Sequence, residues 1–116
     1  LNFFNSTCVP CRQEHPFLVD FAKEQESSDN AVELYTVVND DSDGPVQAFF
    51  DTNGGDWPAV RDDDGAISVA FGVAKVPESW VIDPNGFVRL RIMGALTKGF
   101  LTSRLDELKS QFAGEQ

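Results

Sequence analysis

Cysteine and histidine are scarce in this sequence of 116 residues, which holds two cysteines and one histidine. A small domain stapled by disulfides would need more cysteines at wider spacing. A structural zinc site needs four ligands, one more than these residues supply. The length suits a single domain over residues 1–116, and a chain of this size buries enough surface to form a core without such crosslinks.

Basic residues are also few, because nine lysines and arginines face nineteen aspartates and glutamates, for a net charge of −10. Nucleic acids and anionic membrane surfaces repel such a domain, so we expect neither as a direct partner. No run approaches the roughly 18 apolar residues of a membrane-spanning helix, and no signal peptide is recognisable. The chain opens on Leu1-Asn2-Phe3-Phe4, which resembles the middle of a core strand. We therefore expect that a leader or anchor, and earlier strands, have been removed.

The pattern of the first half predicts an α/β domain. A short apolar strand over residues 1–5 is followed by a helix over residues 10–26, and residues 32–38 are rich in β-branched side chains typical of a strand. Strand, helix and strand in this order predict a parallel βαβ unit. A short helix over residues 45–53 and an extended piece over residues 57–60 follow.

The second half carries a clear hairpin signal. After a helical turn or two at residues 68–71, an Asn-Gly turn separates the β-rich runs 79–82 and 87–92, which predicts an antiparallel pair. A last helix is expected over residues 98–112, with Thr97 as its N-cap. The predicted order is β-α-β-α-β-β-α, which implies a central mixed sheet flanked by helices.

The two cysteines form the motif Cys8-Val9-Pro10-Cys11 at the predicted start of a helix. Unpaired backbone N–H groups and the helix dipole at that place stabilise a thiolate, which is the nucleophile in disulfide exchange. A side chain three residues later points back toward the helix start, so the two sulfurs approach bonding distance. The motif favours thiol–disulfide exchange, in which an exposed Cys8 attacks and a shielded Cys11 resolves the mixed disulfide.

Two other uses of the cysteines stay open. Cys8, Cys11 and His15 are three zinc-ligand types, although a fourth ligand is lacking. The second alternative is a purely structural disulfide between Cys8 and Cys11, although a bridge that closes so small a loop constrains the unfolded chain little. The acidic runs 39–44 and 62–65 lack the later glutamate of a calcium loop, and we interpret them as solvated turns. We therefore expect no metal and no cofactor beyond the redox-active disulfide.

Two stretches of the chain resemble a known family. Residues 1–16, LNFFNSTCVPCRQEHP, resemble the active-site stretch of the thioredoxin superfamily, in particular its extracytoplasmic TlpA/ResA-like branch. Residues 72–86, GVAKVPESWVIDPNG, match the second motif of that branch, and the helix near residues 45–51 lies where the branch carries an insertion. The resemblance implies a thioredoxin-like fold and a protein-disulfide reductase.

The resemblance also implies roles for single residues. Pro77 corresponds to a cis-proline that faces the disulfide and presents adjacent backbone to a partner; an ordinary trans proline at a strand start is the alternative. Glu14 corresponds to an acidic residue that modulates cysteine pKa and proton transfer, and it lies one turn after Cys11. The alternative for Glu14 is a solvated helix glutamate. Glu78 either contacts substrate or is simply exposed.

The implied docking surface departs from the family at one position. The residues expected to bind the substrate protein around the cysteines and Pro77 are Thr7, Val9, Pro10, Val76 and Glu78. Thr7 stands where the family usually has tryptophan, so a flat apolar contact is lost. Val9 brings no charge between the cysteines. His15, as a cation, would favour a thiolate; the alternative is a surface histidine near a kink.

The resemblance finally implies partners and a compartment. The partners are protein thiols or disulfides and an upstream electron donor, and the location is extracytoplasmic, with membrane contact only through a removed anchor. We expect a monomer that acts as a reductant and keeps extracytoplasmic thiols in their reduced form, as in cytochrome c maturation. The direction of electron transfer, from this protein to its substrate, rests on the resemblance alone. A potential difference of ~30 mV corresponds to only ~1.4 kcal/mol for this two-electron couple, so a few local interactions reverse the direction. The alternatives are a disulfide-forming oxidant and a non-catalytic binding module with a structural disulfide.

Overall fold

A five-stranded mixed sheet forms the centre of a computed structural model that describes residues 1–115, with the side chains of residues 1–112. In chain order the strands are β1 (Asn2–Phe4), β2 (Thr36–Asn39), β3 (Ala59–Asp62), β4 (Glu78–Ile82) and β5 (Val88–Met93). Across the sheet their order is β3-β2-β1-β4-β5. The pairs β1–β2 and β2–β3 are parallel, and β4 is antiparallel to β1 and β5. The predicted mixed sheet, βαβ unit and hairpin are confirmed.

Helices cover both faces of this sheet. They are α1 (Val9–Glu26), α2 (Asp43–Asn53), α3 (Ala66–Phe71) and α4 (Phe100–Glu115). Phe4 packs with Cys11 of α1 and Phe49 of α2 on one face, whereas Phe3 meets Phe71 of α3 on the other, with ring centroids 5.5 Å apart. Within the described chain, no helix combines the length and the apolar character needed to cross a membrane.

The predicted element order was incomplete in the middle of the chain. Residues 57–60 were predicted only as an extended piece, yet β3 pairs in parallel with β2 as an edge strand. The helical turn expected over residues 68–71 begins earlier, because the buried carboxylate of Asp62 accepts hydrogen bonds from the N–H groups of Ile67 and Ser68 at the start of α3. The prediction of a fully solvated acidic turn was therefore wrong at Asp62.

Two predicted boundaries were wrong for local reasons. The second strand, predicted over residues 32–38, forms only over Thr36–Asn39, because the N–H of Val32 binds the side-chain oxygen of Gln25 instead of a strand neighbour. The last helix begins at Phe100, so Thr97 is not its N-cap. Gly99 precedes the helix with a φ of +75°, and its carbonyl accepts the N–H of Ser103.

Candidate functional site

Cys8 and Cys11 are joined by a disulfide at the start of α1, with their Cα atoms 5.2 Å apart. Cys8 is the N-cap residue, and its sulfur accepts a hydrogen bond from the N–H of Cys11 at 3.2 Å. Pro10 lies in the first turn, where a helix needs no N–H from it. Cys11 is 1% exposed, whereas Cys8 is half-buried. A partner can therefore reach Cys8 much more easily than Cys11.

A shallow groove lies beside Cys8. It has a volume of about 280 Å³ and is lined by Cys8, Asn39 and the segment of residues 73–76. The carbonyl oxygen of Val76 lies 3.7 Å from the sulfur of Cys8. The bond between Val76 and the buried Pro77 is cis, so the trans alternative was wrong. The second sequence motif is thus placed directly against the first.

The other predicted docking residues surround the disulfide on the solvent side. Val9 is 62% exposed, and Thr7 and Pro10 are exposed as well. The hydroxyl of Thr7 donates to the side-chain oxygen of Asn5 at 2.6 Å, which turns it back onto its own loop. At this position, where the family usually has tryptophan, the chain presents a small, internally bonded side chain.

Glu14 is fully buried, so the alternative of a solvated helix glutamate was wrong. One carboxylate oxygen accepts from the side-chain amide of Asn2 at 2.7 Å, and the other accepts from the backbone N–H of Leu96 at 3.0 Å. Burial raises the pKa of Glu14, and the hydrogen bonds from Leu96 and Asn2 oppose that rise only in part. The structure therefore provides a carboxyl group one turn after Cys11 that holds a proton to higher pH than usual.

Asn2 is a site residue that the sequence reasoning missed. It is 1% exposed on β1, and its amide also donates to the hydroxyl of Ser79 at 3.2 Å. Its side-chain oxygen is buried without a hydrogen-bond partner. The signal for it was a single polar side chain inside the apolar run of residues 1–4, because a buried amide requires a polar partner.

His15 is buried among aromatic rings instead of lying on the surface, and it is 2% exposed. Its ring lies 4.7 Å from Phe49, 5.2 Å from Phe50 and 5.4 Å from Trp57 between centroids. Nε2 lies 2.8 Å from the carbonyl oxygen of Gly54, to which it donates. Burial lowers the pKa of His15, against the opposing effect of that hydrogen bond. Both expectations, a surface histidine and a cation beside the thiolate, were wrong.

The zinc interpretation does not fit this arrangement. Cys8 and Cys11 are bonded to each other, and Nε2 of His15 is bound to Gly54. Among the residues that the structure describes, no group of three histidine, cysteine, aspartate or glutamate side chains is placed to hold a metal ion.

Glu78 is 4% exposed, so the expectation of a simply exposed side chain was wrong. Its two carboxylate oxygens bind Nε and Nη2 of Arg91, at 2.7 and 3.1 Å. The indole N–H of Trp80 donates to the same carboxylate at 3.2 Å. The side chain that follows Pro77 is therefore held by its own sheet.

Comparison with known proteins gives a consistent result. The family model described as Redoxin matches residues 1–108. The chain is 33% identical over 109 residues to the thiol:disulfide interchange protein HelX of Rhodobacter capsulatus, covering 93% of this chain and 58% of HelX. It is 32% identical over 117 residues to the DsbE homolog of Paracoccus denitrificans, covering 99% of this chain and 62% of that protein. It thus spans about three fifths of the length of these relatives.

A solved structure supports the architecture. The structure of MTB dsbF superposes with a TM-score of 0.81 at 25% sequence identity, covering 92% of this chain and 77% of that one. With the mixed sheet and flanking helices, this confirms the predicted thioredoxin-like fold.

Proposed function

This chain belongs to the Redoxin family, and we propose that it is a thiol–disulfide oxidoreductase that works through Cys8 and Cys11. The observation that carries the proposal is the placement of the half-buried Cys8 at the N-cap of α1 and 3.7 Å from the Val76 carbonyl in an open groove. The relatives HelX and the DsbE homolog are named thiol:disulfide interchange proteins, which supports the same reaction.

The reaction follows from the geometry of the pair. In the reduced protein the Cys8 thiolate attacks one sulfur of a substrate disulfide, that bond breaks, and the departing substrate sulfur takes up a proton. The sulfur of Cys11 then attacks the sulfur of Cys8, which re-forms the internal disulfide and releases the second substrate thiol. Two electrons and two protons pass to the substrate. The N–H of Cys11, 3.2 Å from the Cys8 sulfur, and the start of α1 stabilise the thiolate.

Glu14 assists the proton transfer in this proposal. Cys11 must lose its proton before it can resolve the mixed disulfide, and it is buried away from water. The buried Glu14 carboxyl group lies one turn further along α1, and the hydrogen bonds from Asn2 and Leu96 hold it in place. Because burial raises its pKa, this group exchanges protons closer to neutral pH than an ordinary glutamate does.

We further propose that the physiological direction is reduction of extracytoplasmic protein disulfides to thiols, with an upstream protein that supplies the electrons. The family resemblance supports this direction, and the cysteines of apocytochrome c are the substrate class that it implies. The small, internally bonded Thr7 leaves the groove without a broad apolar wall. Recognition then relies on the backbone of residues 73–76 more than on side-chain stacking.

A redox titration of the Cys8–Cys11 pair against thiol buffers tests the proposal. We expect a reversible two-electron couple with a potential near that of thioredoxin, about −270 mV. A potential near the −120 mV of DsbA would make the protein an oxidant, and the absence of a reversible couple would leave a binding module with a structural disulfide.

Single cysteine variants separate the two sulfur roles. Cys8→Ser should lower the rate of substrate reduction roughly a hundredfold or more, because the nucleophile is lost. Cys11→Ser should instead accumulate a mixed disulfide between Cys8 and the substrate, visible by mass spectrometry. An oxidised peptide with the Cys-x-x-Cys-His pattern, compared with an oxidised peptide of scrambled sequence, tests the substrate class. Full activity of Cys8→Ser would overturn the proposal.

A further inference from the structure

The segment of residues 73–77 forms one wall of the groove and joins α3 to β4. Gly72, which ends α3 with a φ of +72°, precedes the segment, and Glu78, the first residue of β4, follows it. One side chain from a third element, Arg91 of β5, contacts both of these flanking residues.

The contacts of Arg91 use several donors of its guanidinium group. Nη2 donates to the carbonyl oxygen of Gly72 at 3.1 Å and to one carboxylate oxygen of Glu78 at 3.1 Å, while Nε donates to the other oxygen at 2.7 Å. The guanidinium carbon lies 4.8 Å from the ring centroid of Trp80, which is the direct cross-strand neighbour of Arg91. A planar cation stacked on an aromatic ring has little freedom to turn, so these donors point in fixed directions.

The two ends of the segment differ in how they are otherwise held. Glu78 lies in β4, which is hydrogen-bonded to β1 on one side and β5 on the other. Gly72 ends a helix of only six residues. That helix rests on the sheet through Phe71, which meets Phe3 and Trp80. The bond from Arg91 is thus a direct polar link from the sheet to the Gly72 end of the groove wall.

We propose that Arg91 is a positioning residue for the substrate groove, which fixes the backbone of residues 73–76 relative to Cys8 by binding Gly72 and Glu78 together. This inference rests on the proposed function, since it assigns the residue that shapes the docking surface of the same site. Arg91 does not touch the sulfurs, so it acts on substrate binding and leaves the attack by Cys8 to the cysteine itself. Glu78 accordingly serves as the anchor of Arg91.

The test compares two variants of Arg91 with a matched control. Arg91→Met removes the cation, whereas Arg91→Lys keeps a cation beside Glu78 but lacks the planar fork that binds Glu78 and Gly72 together. Arg89→Met is the control, because Arg89 lies two residues earlier on β5, at the irregularity between the pairs Leu90–Val81 and Val88–Ile82, where it pairs with Asp83 of the hairpin. This control changes a similar ion pair at a distance from the groove.

Two disulfide probes separate docking from chemistry. One is a short unstructured peptide whose single cysteine is disulfide-linked to thionitrobenzoate, and the other is Ellman's reagent, which has no peptide backbone to bind along the groove. Each is mixed with protein reduced beforehand, whose Cys8–Cys11 dithiol supplies the two electrons, and KM and kcat denote the half-saturating concentration and the limiting rate of this single turnover. For the peptide we expect KM to rise about tenfold in Arg91→Met, the change expected when about one hydrogen bond to a charged group is lost, and severalfold in Arg91→Lys. The kcat for the peptide and the rate with Ellman's reagent should change less than about twofold, which corresponds to less than about 0.4 kcal/mol. Arg89→Met should match the wild type throughout.

Amide hydrogen exchange gives a second readout that does not depend on catalysis. The N–H of Val73, which donates to the carbonyl oxygen of Ser68 at 2.8 Å, should exchange faster in both Arg91 variants and at the wild-type rate in Arg89→Met. The inference is overturned if Arg91→Lys, which keeps the charge beside Glu78, restores both KM and exchange to wild-type values, or if neither variant changes them. A wild-type protein inactive toward both probes would instead count against the proposed function, so the two failures are distinguishable.

Discussion

Two buried glutamates lie close to the active-site motifs, and their surroundings are opposite. Glu14 is 0% exposed and Glu78 is 4% exposed. The carboxylate of Glu14 receives only neutral donors, the amide of Asn2 and a backbone N–H, whereas that of Glu78 binds the guanidinium of Arg91. A buried carboxyl group with no cation retains its proton more readily and suits proton transfer. One paired with a cation serves instead to hold its partner in place.

The pleat of the sheet produces this division. Asn2 lies opposite Ser79, and Phe3 lies opposite Glu78, in the antiparallel pair of β1 and β4. Because successive side chains point to opposite faces, the polar groups around Glu14 lie on the α1 side, while Glu78 and Arg91 lie on the α3 side. Proton transfer and groove shape are therefore supported from different faces, and substitutions at one glutamate should leave the other function intact.

The largest effect on stability is expected at the ion pair. Arg91→Met should lower the free energy of unfolding by about 2–3 kcal/mol, because it leaves the Glu78 carboxylate buried without its cation. Glu78→Gln should cost only about 1 kcal/mol, because the Arg91 side chain is 38% exposed and water can solvate it. Urea unfolding of both variants and of the double variant measures the coupling between the two side chains.

The double variant decides whether the pair acts as one unit. We expect it to lose less stability than the sum of the single variants, because removing Glu78 also removes the penalty of leaving it unpaired. Strictly additive losses would show that Arg91 stabilises the fold through Trp80 and Gly72 alone, and the contrast with Glu14 would disappear.

The second prediction concerns Glu14→Gln, which keeps the size of the side chain and removes its proton. We expect oxidation of the reduced protein by a substrate disulfide to slow about a hundredfold, at the low end for loss of a proton-transfer group. Stability at neutral pH should change by less than about 1 kcal/mol, since the amide oxygen can still accept from Leu96. Stopped-flow tryptophan fluorescence and urea unfolding measure the two quantities, with Glu26→Gln, a change of an exposed glutamate at the end of the same helix, as the control that should leave the exchange rate unchanged.

The pH dependence of stability gives the same variant a sharper test. Burial raises the folded-state pKa of Glu14 above its ordinary value of 4.5. Between pH 4.5 and the raised folded-state pKa, the folded state therefore binds more protons than the unfolded state. The stability contributed by the protonated group is complete below 4.5 and is lost as the pH rises through the folded pKa. As the pH rises through this range, the free energy of unfolding of the wild type should fall relative to that of Glu14→Gln. Parallel curves would contradict the assignment.

Sequence reasoning located the parts of the site that depend on neighbouring residues. The Cys8–Cys11 pair, its place at a helix start and the later hairpin are encoded within short stretches, whereas the cis bond at Pro77 was expected from the family resemblance alone. A helix dipole, a turn and a proline act on residues only a few positions away, so their effects can be predicted without a fold. The bounds of the last helix failed at Gly99, where a turn residue separated the expected cap from the helix.

The environment of each titratable side chain could not be predicted in the same way. Glu14 is bound by Leu96 and His15 by Gly54, residues 82 and 39 positions away. Glu78 is bound by Arg91 across a strand pair. A glutamate or histidine on a helix carries no local mark of burial, because burial depends on which loop later packs over it. The composition, rich in acidic residues, favoured the interpretation of Glu14 and Glu78 as solvated side chains, and this interpretation was wrong.

The third and smallest effect comes from His15, whose titration obscures that of Glu14. Burial lowers the folded-state pKa of His15 below its ordinary value of 6.5. Its contribution to stability is therefore complete above 6.5 and is lost as the pH falls through the folded pKa, opposite in sign to that of Glu14. His15→Phe should cost about 1 kcal/mol through the lost hydrogen bond to Gly54, since another aromatic ring suits the surrounding rings.

The informative part of this variant is the shape of its pH curve. Without His15, urea unfolding between pH 4 and pH 7 should retain the fall of stability with rising pH that Glu14 causes and should lose the part of the acid decline that His15 causes. The Leu1 amine, whose pKa burial lowers from 8.0 to about 6, still reduces stability as the pH falls from 7 toward 6. The double variant with Glu14→Gln should keep only the change near pH 6 that the Leu1 amine causes and should be nearly flat below it.

An acid decline in His15→Phe that continues well below pH 6, where the Leu1 amine no longer contributes, would be assigned to carboxylates bound by N–H groups. Asp62 is one of these, because hydrogen bonds from Ser68 and Ile67 outweigh its desolvation and lower its pKa. The comparison of the two glutamates would then have to be repeated with Asp62→Asn as the background.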